Sequence, residues 1–277
     1  LGLDGSEYFT IRGLDDGLDV YDELGVIARD DDGSETEFPV TAQVGTPAAV
    51  RYVEPNAGLR LLDGATTGRS PSTPQTLPDG VDRLGAARAH EAGHVGEGAA
   101  VAVLDSGVDS THPDLEANLG AGRSFVAGAD GPTDEDERGD EGTTPVDGDE
   151  PPAWEDEYGH GTHCAGIVGA VDNERGVCGV APGTTVRAVK VGTRTEIDAA
   201  DVAAGLEHVA DAGVDVANLS LGSEDPSELI ADACRYADER GVLVVGAAGN
   251  ADDGEDNTVV RYPAAFEEVL AVSAVDG

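Results

Sequence analysis

The stretch that decides the fold is Glu157-Tyr158-Gly159-His160-Gly161-Thr162-His163-Cys164-Ala165-Gly166. Glycines flank His160, so other backbone can approach it closely, and the small residues that follow are typical of a helix buried against a sheet. Upstream, an apolar strand pattern ends in a carboxylate at Asp105, and downstream another ends in the turn Gly249-Asn250. An acid at a strand end, a histidine that opens a helix and an amide on a turn together indicate most of a hydrolase active site.

The composition is strongly acidic. The 277 residues include 56 Asp and Glu against 16 Lys and Arg, a net charge of -40, and Lys190 is the only lysine. This charge keeps the surface hydrated and argues against nucleic acid or anionic membranes as partners. One interpretation is adaptation to high salt, where repulsion is screened within a few ångströms; the other is an acidic protein with an acidic loop. Lysine is depleted along the whole chain, which favours salt adaptation, and such sequences resemble proteins of extremely halophilic archaea.

The chain begins at Leu1 and contains no methionine, which predicts a processed product or a fragment whose N-terminus lies upstream. A signal peptide would then lie in the missing part. The cysteines are Cys164, Cys178 and Cys234, and an odd number cannot pair completely within one chain. No segment approaches the roughly 18 apolar residues that cross a bilayer.

The pattern along the chain divides it into two parts. Residues 1–63 are predicted to form a small α+β unit, with strands at 8–11 and 50–53 and a helix at 18–24. Residues 64–74 are rich in Gly, Ser, Thr and Pro, which is the composition of a linker.

Residues 75–277 alternate apolar strands with helices, which predicts an α/β domain: a parallel sheet with helices on both faces. Right-handed crossovers place the carboxyl ends of all its strands at one edge. The acidic interval 127–157 interrupts the pattern and is predicted to be a solvated insertion, with a metal site there as the open alternative. Helices are predicted at 83–92, 160–171, 199–212 and 226–240, and strands at 99–104, 186–191, 215–221, 242–246 and 269–275.

Four motifs occur in order along this domain: Val103-Leu104-Asp105-Ser106-Gly107-Val108-Asp109, Gly159-His160-Gly161-Thr162-His163, Asn218-Leu219-Ser220-Leu221-Gly222 and Ala248-Gly249-Asn250. The series resembles the successive signatures of the subtilisin-like serine proteases, or subtilases. With further similar segments at 78–83, 176–182 and 262–264, the resemblance covers roughly residues 75–275. It implies a subtilisin-like fold and an endopeptidase that acts on extended polypeptides.

The resemblance implies a role for each matching residue. Asp105 would orient and stabilise the imidazolium, His160 would act as general base and then general acid, and Asn250 would donate its side-chain amide to the oxyanion. An edge strand would pair with the substrate backbone, and a wall would line the pocket for the residue before the scissile bond. The edge residues would be Ser220, Leu221 and Gly222, and the wall residues Ala247, Ala248 and Gly249.

The catalytic serine of this family lies in a Gly-Thr-Ser-Met-Ala-like segment, and no such segment occurs here. We expect the nucleophile to lie beyond Gly277, so the chain as given is predicted to be inactive. The alternative is a catalytically inactive, subtilase-like peptide-binding protein that ends at Gly277. A nucleotide-binding α/β protein is disfavoured, because Asp105-Ser106-Gly107 supplies one glycine and a repelling acid instead of a phosphate loop.

The resemblance also implies calcium as a structural cofactor. Six oxygens, a number that calcium accepts, would come from the side chains of Gln75, Asp114 and Asn173 and the carbonyls of Val171, Arg175 and Val177. Two histidines three residues apart, His160 and His163, invite a zinc interpretation, but no third ligand has suitable spacing.

Residues 1–63 resemble, more weakly, the inhibitory propeptide of the same family, on the segment Ala49-Val50-Arg51-Tyr52-Val53-Glu54-Pro55-Asn56. This implies a domain that assists folding and blocks the cleft until it is cut off, with the processing region in the linker. The alternative is an unrelated N-terminal extension. The implied partners are polypeptide substrates and the chain's own propeptide, and a monomeric, secreted, extracellular enzyme is expected.

A thiol next to the catalytic histidine recurs in some subtilases, and Cys164 directly follows His163 here. It predicts that mercurials inhibit the intact protein. The alternative role of Cys164 is that of a small buried hydrophobe.

Overall fold

The computed structural model describes most of the chain and divides it into two compact units, Leu1–Asn56 and Ala57–Gly277. The predicted linker, 64–74, lies outside the described residues except for its last position. The described residues are 9–13, 21–29, 35–43, 50–55, 58–61, 74–126, 151–194, 197–250 and 259–274.

The described part of the first unit consists of strands. β1 pairs antiparallel with β4, and β2 pairs antiparallel with β3. The helix predicted at 18–24 is wrong from Tyr21 onward, because these residues begin β2. The register places Leu24 opposite Val40 and Val26 opposite Phe38. Apolar residues that alternate along β2 therefore pair with apolar residues of β3, and this pairing prevails over the helical spacing. The strand bounds are β1 Phe9–Gly13, β2 Tyr21–Arg29, β3 Glu35–Gln43 and β4 Val50–Pro55.

The second unit alternates strands and helices, and the predicted α/β class is confirmed. Its elements are β5 Gly58–Leu61, α1 Asp79–Arg83, α2 Ala86–Glu91, β6 Ala100–Asp105, β7 Arg123–Ser124, α3 His160–Gly169, β8 Thr185–Lys190, β9 Ile197–Asp198, α4 Ala199–Asp211, β10 Val216–Leu219, β11 Leu221–Gly222, α5 Glu228–Glu239, β12 Leu243–Ala247 and β13 Val269–Val272.

Six of these strands form one parallel sheet in the order β13-β12-β10-β6-β8-β7. The apolar run of β6 lies in its interior, and Ala102, Val103 and Leu104 are fully buried. α3 packs on β6 and β8, α4 packs on β6 and α5, and α5 packs on β12. Because all six strands run in the same direction, their carboxyl ends lie together at one edge of the sheet.

Three predicted elements differ from the structure. The helix predicted at 83–92 begins only at Ala86, as α2, because Gly85 adopts φ 80° and separates it from α1. The strand predicted at 215–221 is divided at Ser220, since β11 leaves the large sheet and pairs with β5. The last part of the predicted insertion, 151–157, is packed and not fully solvated: Trp154 is 1% exposed. Residues 127–150 lie outside the described part of the chain.

Within the described residues, the structure contains no helix that is both long enough and apolar enough to span a membrane.

Candidate active site

Asp105 is the last residue of β6, where the interior of the sheet opens at its carboxyl edge. The residue is fully buried, and its Oδ1 accepts a hydrogen bond from the backbone N–H of Ser106 at 2.7 Å. The carboxylate is therefore held by the end of a rigid strand rather than by a flexible loop.

His160 begins α3, and Gly159 before it adopts φ 98°, a left-handed conformation that glycine adopts without strain. The His160 Nδ1–H donates to Asp105 Oδ1 at 2.7 Å, and the His160 side chain is 6% exposed. A Cβ atom on Gly161 would lie 2.1 Å from the carbonyl oxygen of Gly107. The glycines predicted to permit close approach therefore let the first turn of the helix reach the strand end.

The electrostatics of this pair favour a protonated imidazole. Burial lowers the pKa of His160, but the hydrogen bonds and charges of Asp105 and Cys164 together outweigh it and raise the pKa above its usual range. Among the described residues, Asp105 Oδ2 is a buried oxygen without a hydrogen-bond partner. A buried carboxylate hydrogen-bonded to the imidazole stabilises its cationic form, which is the function of the acid in an acid–histidine couple.

Cys164 lies one turn after His160 on α3, with its Sγ 3.9 Å from His160 Nδ1. Ligand atoms of Asp105, His160 and Cys164 all lie within 4.8 Å of one another, and these residues form the one such group in the described part of the chain. His163 is exposed and outside this group, so the structure does not join it with His160 in a zinc site. The group could instead take a thiophilic ion such as Hg²⁺.

Two side chains that the sequence did not single out, the aromatic Tyr158 and the cationic Arg194, form a stack on the His160 ring. The Tyr158 ring stacks on the His160 ring at 6.4 Å between centroids and 15° between planes. The Arg194 guanidinium lies 5.3 Å from the Tyr158 ring centroid. Beside this stack lies a cavity of about 250 Å³, lined by Ser106, Glu157, Tyr158, Lys190, Thr193 and Arg194.

The predicted substrate edge is a strand that already has a partner. β5 lies between β11 and β9 in a small antiparallel sheet. Leu61 pairs with Leu221, Arg60 with Gly222, and Leu59 with Ile197. Leu59 and Leu61 are each 8% exposed, whereas Arg60 is exposed, so alternate side chains of the extended segment enter the protein. Ser220 precedes this strand, and its Oγ accepts from the Asn218 amide at 3.0 Å.

The predicted pocket wall and oxyanion donor follow β12. Ala247 ends the strand, and the N–H of Ala248 donates to Val272 O at 2.8 Å, which continues the pairing with β13. Gly249 adopts φ 131°, where a residue with a side chain would be strained. Asn250 is half-buried beyond this turn. The structure therefore places Asn250 past the carboxyl end of a strand of the same sheet as β6.

The six predicted calcium ligands belong to segments that the structure brings together. The Gln75 side-chain amide donates to Val171 O at 2.8 Å and to Val177 O at 3.2 Å. The N–H of Val177 donates to the Asp114 carboxylate at 3.0 Å. The Asn173 amide lies 3.5 Å from Asp114 Oδ1. The N–H of Arg175, the sixth residue, donates to Asn173 Oδ1 at 3.1 Å.

The chemistry of this donor set fits calcium. Asp114 is 3% exposed, and a Cβ on Gly176 would lie 1.9 Å from its Oδ2, so the glycine lets the loop after α3 lie directly against the carboxylate. The Gln75 Oε1 accepts from the N–H of Glu174 at 3.2 Å, so the Gln75 side chain links the segments that carry the other proposed ligands. Carboxylate, amide and carbonyl oxygens are hard donors, and these are the ligands that Ca²⁺ prefers.

The site is thus a buried acid–histidine couple at the carboxyl edge of the parallel sheet of an α/β protein. A model of the Subtilase family matches residues 96–277, and the chain belongs to this family.

Individual relatives agree with this assignment. The chain is 41% identical over 203 residues to Subtilisin Savinase of Lederbergia lenta, covering 73% of this chain and 65% of the relative. It is 38% identical over 229 residues to the Alkaline protease of Alkalihalobacillus alcalophilus, covering 82% of this chain and 50% of the relative. With Subtilisin DY of Bacillus licheniformis the identity is 35% over 208 residues. The matched region thus spans about half to two thirds of the length of these relatives.

Proposed function

We propose that this chain is part of a subtilisin-like serine endopeptidase whose nucleophile is a serine C-terminal to Gly277. The observation that carries the proposal is the hydrogen bond between His160 Nδ1 and Asp105 Oδ1, 2.7 Å long and buried at the carboxyl edge of the sheet. The relatives named Subtilisin Savinase and Alkaline protease support it.

In the proposed reaction, Asp105 keeps the proton on Nδ1, so Nε2 of His160 is the free base. The serine Oγ attacks the peptide carbonyl carbon while its proton passes to Nε2. The Asn250 amide donates to the oxyanion that forms; loss of this donor costs about 10²–10³ in turnover in this family. Nε2–H then protonates the leaving amine as the C–N bond breaks, and water releases the acyl group by the same route.

Substrate would bind as an additional strand. The pairing of Gly58–Leu61 with Leu221–Gly222 and Ile197–Asp198 supports this mode, because backbone hydrogen bonds hold an extended peptide whatever its sequence. Ser220 would extend the edge, and the turn after β12 would line the pocket for the residue before the scissile bond. The wall residues are Ala247, Ala248 and Gly249.

The same pairing supports an inhibitory N-terminal part. A segment of the chain itself occupies the strand position proposed for substrate, which is what a propeptide that ends in the cleft would do. We therefore assign residues 1–63 to the proposed propeptide-like unit, residues 64–74 to the processing linker and residues 75–277 to the part of the catalytic domain that precedes the serine. The proposed partners are polypeptide substrates and the chain's own propeptide, with a monomeric enzyme.

Calcium is proposed as a structural ion held by Gln75, Asp114, Asn173 and the carbonyls of Val171, Arg175 and Val177. Such an ion would supply positive charge that fixes the loop after α3. An extracellular, salt-adapted enzyme of haloarchaeal type is proposed from the net charge of -40. The relatives named as subtilisins and alkaline proteases support the extracellular setting.

The test is to express the gene, extended downstream of residue 277, in concentrated KCl and to assay hydrolysis of casein and of chromogenic peptides. We expect a Gly-Thr-Ser segment downstream, hydrolysis that a serine-directed inhibitor abolishes, and loss of activity in the His160→Ala variant. A stop codon directly after Gly277, or hydrolysis insensitive to both treatments, would contradict the proposal. Peptide binding without hydrolysis would then indicate the inactive binding protein.

A further inference from the structure

Asp156, which the sequence places in the acidic interval, accepts five hydrogen bonds beside the Asp105–His160 couple. Its Oδ1 accepts from Ser106 Oγ, the N–H of Tyr158 and the N–H of Gly159, each at 2.9 Å. Its Oδ2 accepts from the N–H of Thr162 at 2.9 Å and from Thr162 Oγ1 at 2.6 Å. The side chain therefore satisfies backbone donors of the first turn of α3, as a helix cap does.

The same carboxylate connects this turn to the end of β6. An ionised carboxylate can only accept, so it makes Ser106 Oγ a donor and leaves that oxygen to accept from the N–H of Gly161 at 3.0 Å. Thr162 Oγ1 is oriented in the same way and accepts from the N–H of Asp109 at 2.9 Å. Two hydroxyl bridges therefore join the helix to the chain on either side of Gly107.

The negative charge also suits its position. Burial raises the pKa of Asp156, but the hydrogen bonds from Thr162, Gly159 and Tyr158 lower it by more, so the pKa lies below its usual value. A carboxylate at the start of a helix interacts favourably with the helix dipole. The lowered pKa and the helix dipole both favour the ionised carboxylate that accepts from all five donors.

We propose that Asp156 is a positioning residue: it fixes the first turn of α3 against the end of β6 and thereby holds His160 Nδ1 on Asp105 Oδ1. The role rests on the proposed function, because it concerns the geometry of the general base. Asp156 does not touch the reacting atoms. It acts through Ser106, Thr162 and the backbone, which set where the imidazole stands.

The test compares Asp156→Asn with Asp109→Asn in the full-length protein. Both variants remove one charge at nearly constant volume, but the Asp109 side chain accepts only from the nearby Thr111 N–H and hydroxyl among the contacts the structure shows. In Asp156→Asn the new NH₂ group would face hydrogen-bond donors, so the bonds that link the first turn of α3 to Ser106 would break. We expect kcat to fall about 10-fold to 100-fold with KM unchanged, since displacing a catalytic group by about 1 Å reduces the rate by up to this order. Asp109→Asn should keep the parent kcat.

A second readout does not require activity. NMR titration of His160 should show a lower imidazole pKa in Asp156→Asn and loss of the downfield Nδ1 proton that marks the bond to Asp105. If Asp156→Asn fails to fold, Thr162→Val removes one donor at constant volume and should give a smaller shift of the same sign. An unchanged His160 titration in a folded variant would overturn the proposal. Absence of hydrolysis in the parent would count against the proposed function alone, because the titration would still report on Asp156.

Discussion

At the residue scale, the site depends on one short contact between two buried side chains. Asp105 is fixed by a strand and His160 by a helix, and Gly161 gives the space that lets the two elements meet. The motifs singled out Asp105 and His160, and the structure joins these two side chains by a hydrogen bond. The motifs could not predict Asp156 or Tyr158, because the sequence there reads as the end of an acidic run. The available signal was an aspartate shortly before a helix start, a residue type that caps helices well.

The raised pKa of His160 predicts an alkaline profile for hydrolysis by the full-length protein. The imidazolium cannot accept the serine proton, so activity should rise only as pH passes the raised pKa, above the ordinary value of 6.5. Asp105→Asn should move this acidic limb to lower pH and reduce kcat by about 10⁴, the order that loss of this acid costs in such triads. Rate profiles of the two proteins against pH would measure both effects. An acidic limb at the same pH in both would contradict this explanation.

The raised pKa of His160 also makes the stability of the folded protein depend on pH, in a direction that can be stated. A histidine whose pKa is raised on folding adds stability that is fully present below its unfolded pKa and is lost as pH rises through the folded value. The contribution of the couple should therefore decline on the alkaline side of 6.5. Thermal midpoints of the parent and Asp105→Asn should converge as pH rises through that range. A difference in thermal midpoint that stays constant with pH would show that the pKa of His160 does not change on folding.

Cys164 gives a chemical test of the geometry. Because its Sγ lies 3.9 Å from His160 Nδ1, an organomercurial bound there should displace the imidazole and inactivate the full-length enzyme. Cys164→Ala should resist the reagent. Cys234→Ala is the matched control and should remain sensitive, since Cys234 is fully buried and burial raises its pKa to about 12. Resistance of the parent protein would indicate that Cys164 is only a packing residue.

At the element scale, the sequence predicted the parallel sheet well because buried parallel strands are continuous apolar runs. The prediction of secondary structure from the sequence was wrong where a partner strand or a single glycine decides which element forms. The helical spacing near Leu24 gives way to β2, which pairs with β3, and Gly85 delays the start of the helix predicted at 83–92 until Ala86. The pairing of β5 with β11 and β9 joins parts of the chain that no local pattern connects.

The loop after α3 is the element that calcium would stabilise. Removing Ca²⁺ with a chelator should lower the thermal midpoint by roughly 5–10 °C, because an ion at 100 times its Kd adds about 2.7 kcal/mol. Gln75→Ala should abolish the response to calcium. Asn118→Ala is a useful control: its amide donates to Gly169 O and Pro182 O, so its loss should destabilise the protein without changing the calcium response. Equal midpoints with and without chelator in the parent protein would exclude the ion.

At the scale of the whole molecule, the net charge of -40 should make folding depend on salt. Screening shortens the range of repulsion from about 10 Å at 0.1 M salt to about 3 Å at 1 M. We expect the thermal midpoint to rise by roughly 10 °C between dilute and molar KCl, which corresponds to about 3 kcal/mol for a domain of this size. A variant with exposed Glu91, Glu97 and Glu116 changed to Gln should depend less on salt. A midpoint that KCl does not move would refute salt adaptation.

The strand β5 belongs to the same chain as the edge that it occupies. A covalently attached segment competes with free peptide at an effective concentration on the order of millimolar, whatever its intrinsic affinity. Inhibition in the uncut protein is therefore expected to be independent of dilution. Once the chain is cut after β5, the segment becomes an ordinary ligand whose occupancy falls with concentration. In the proposed extracellular setting, dilution alone would then remove the competitor.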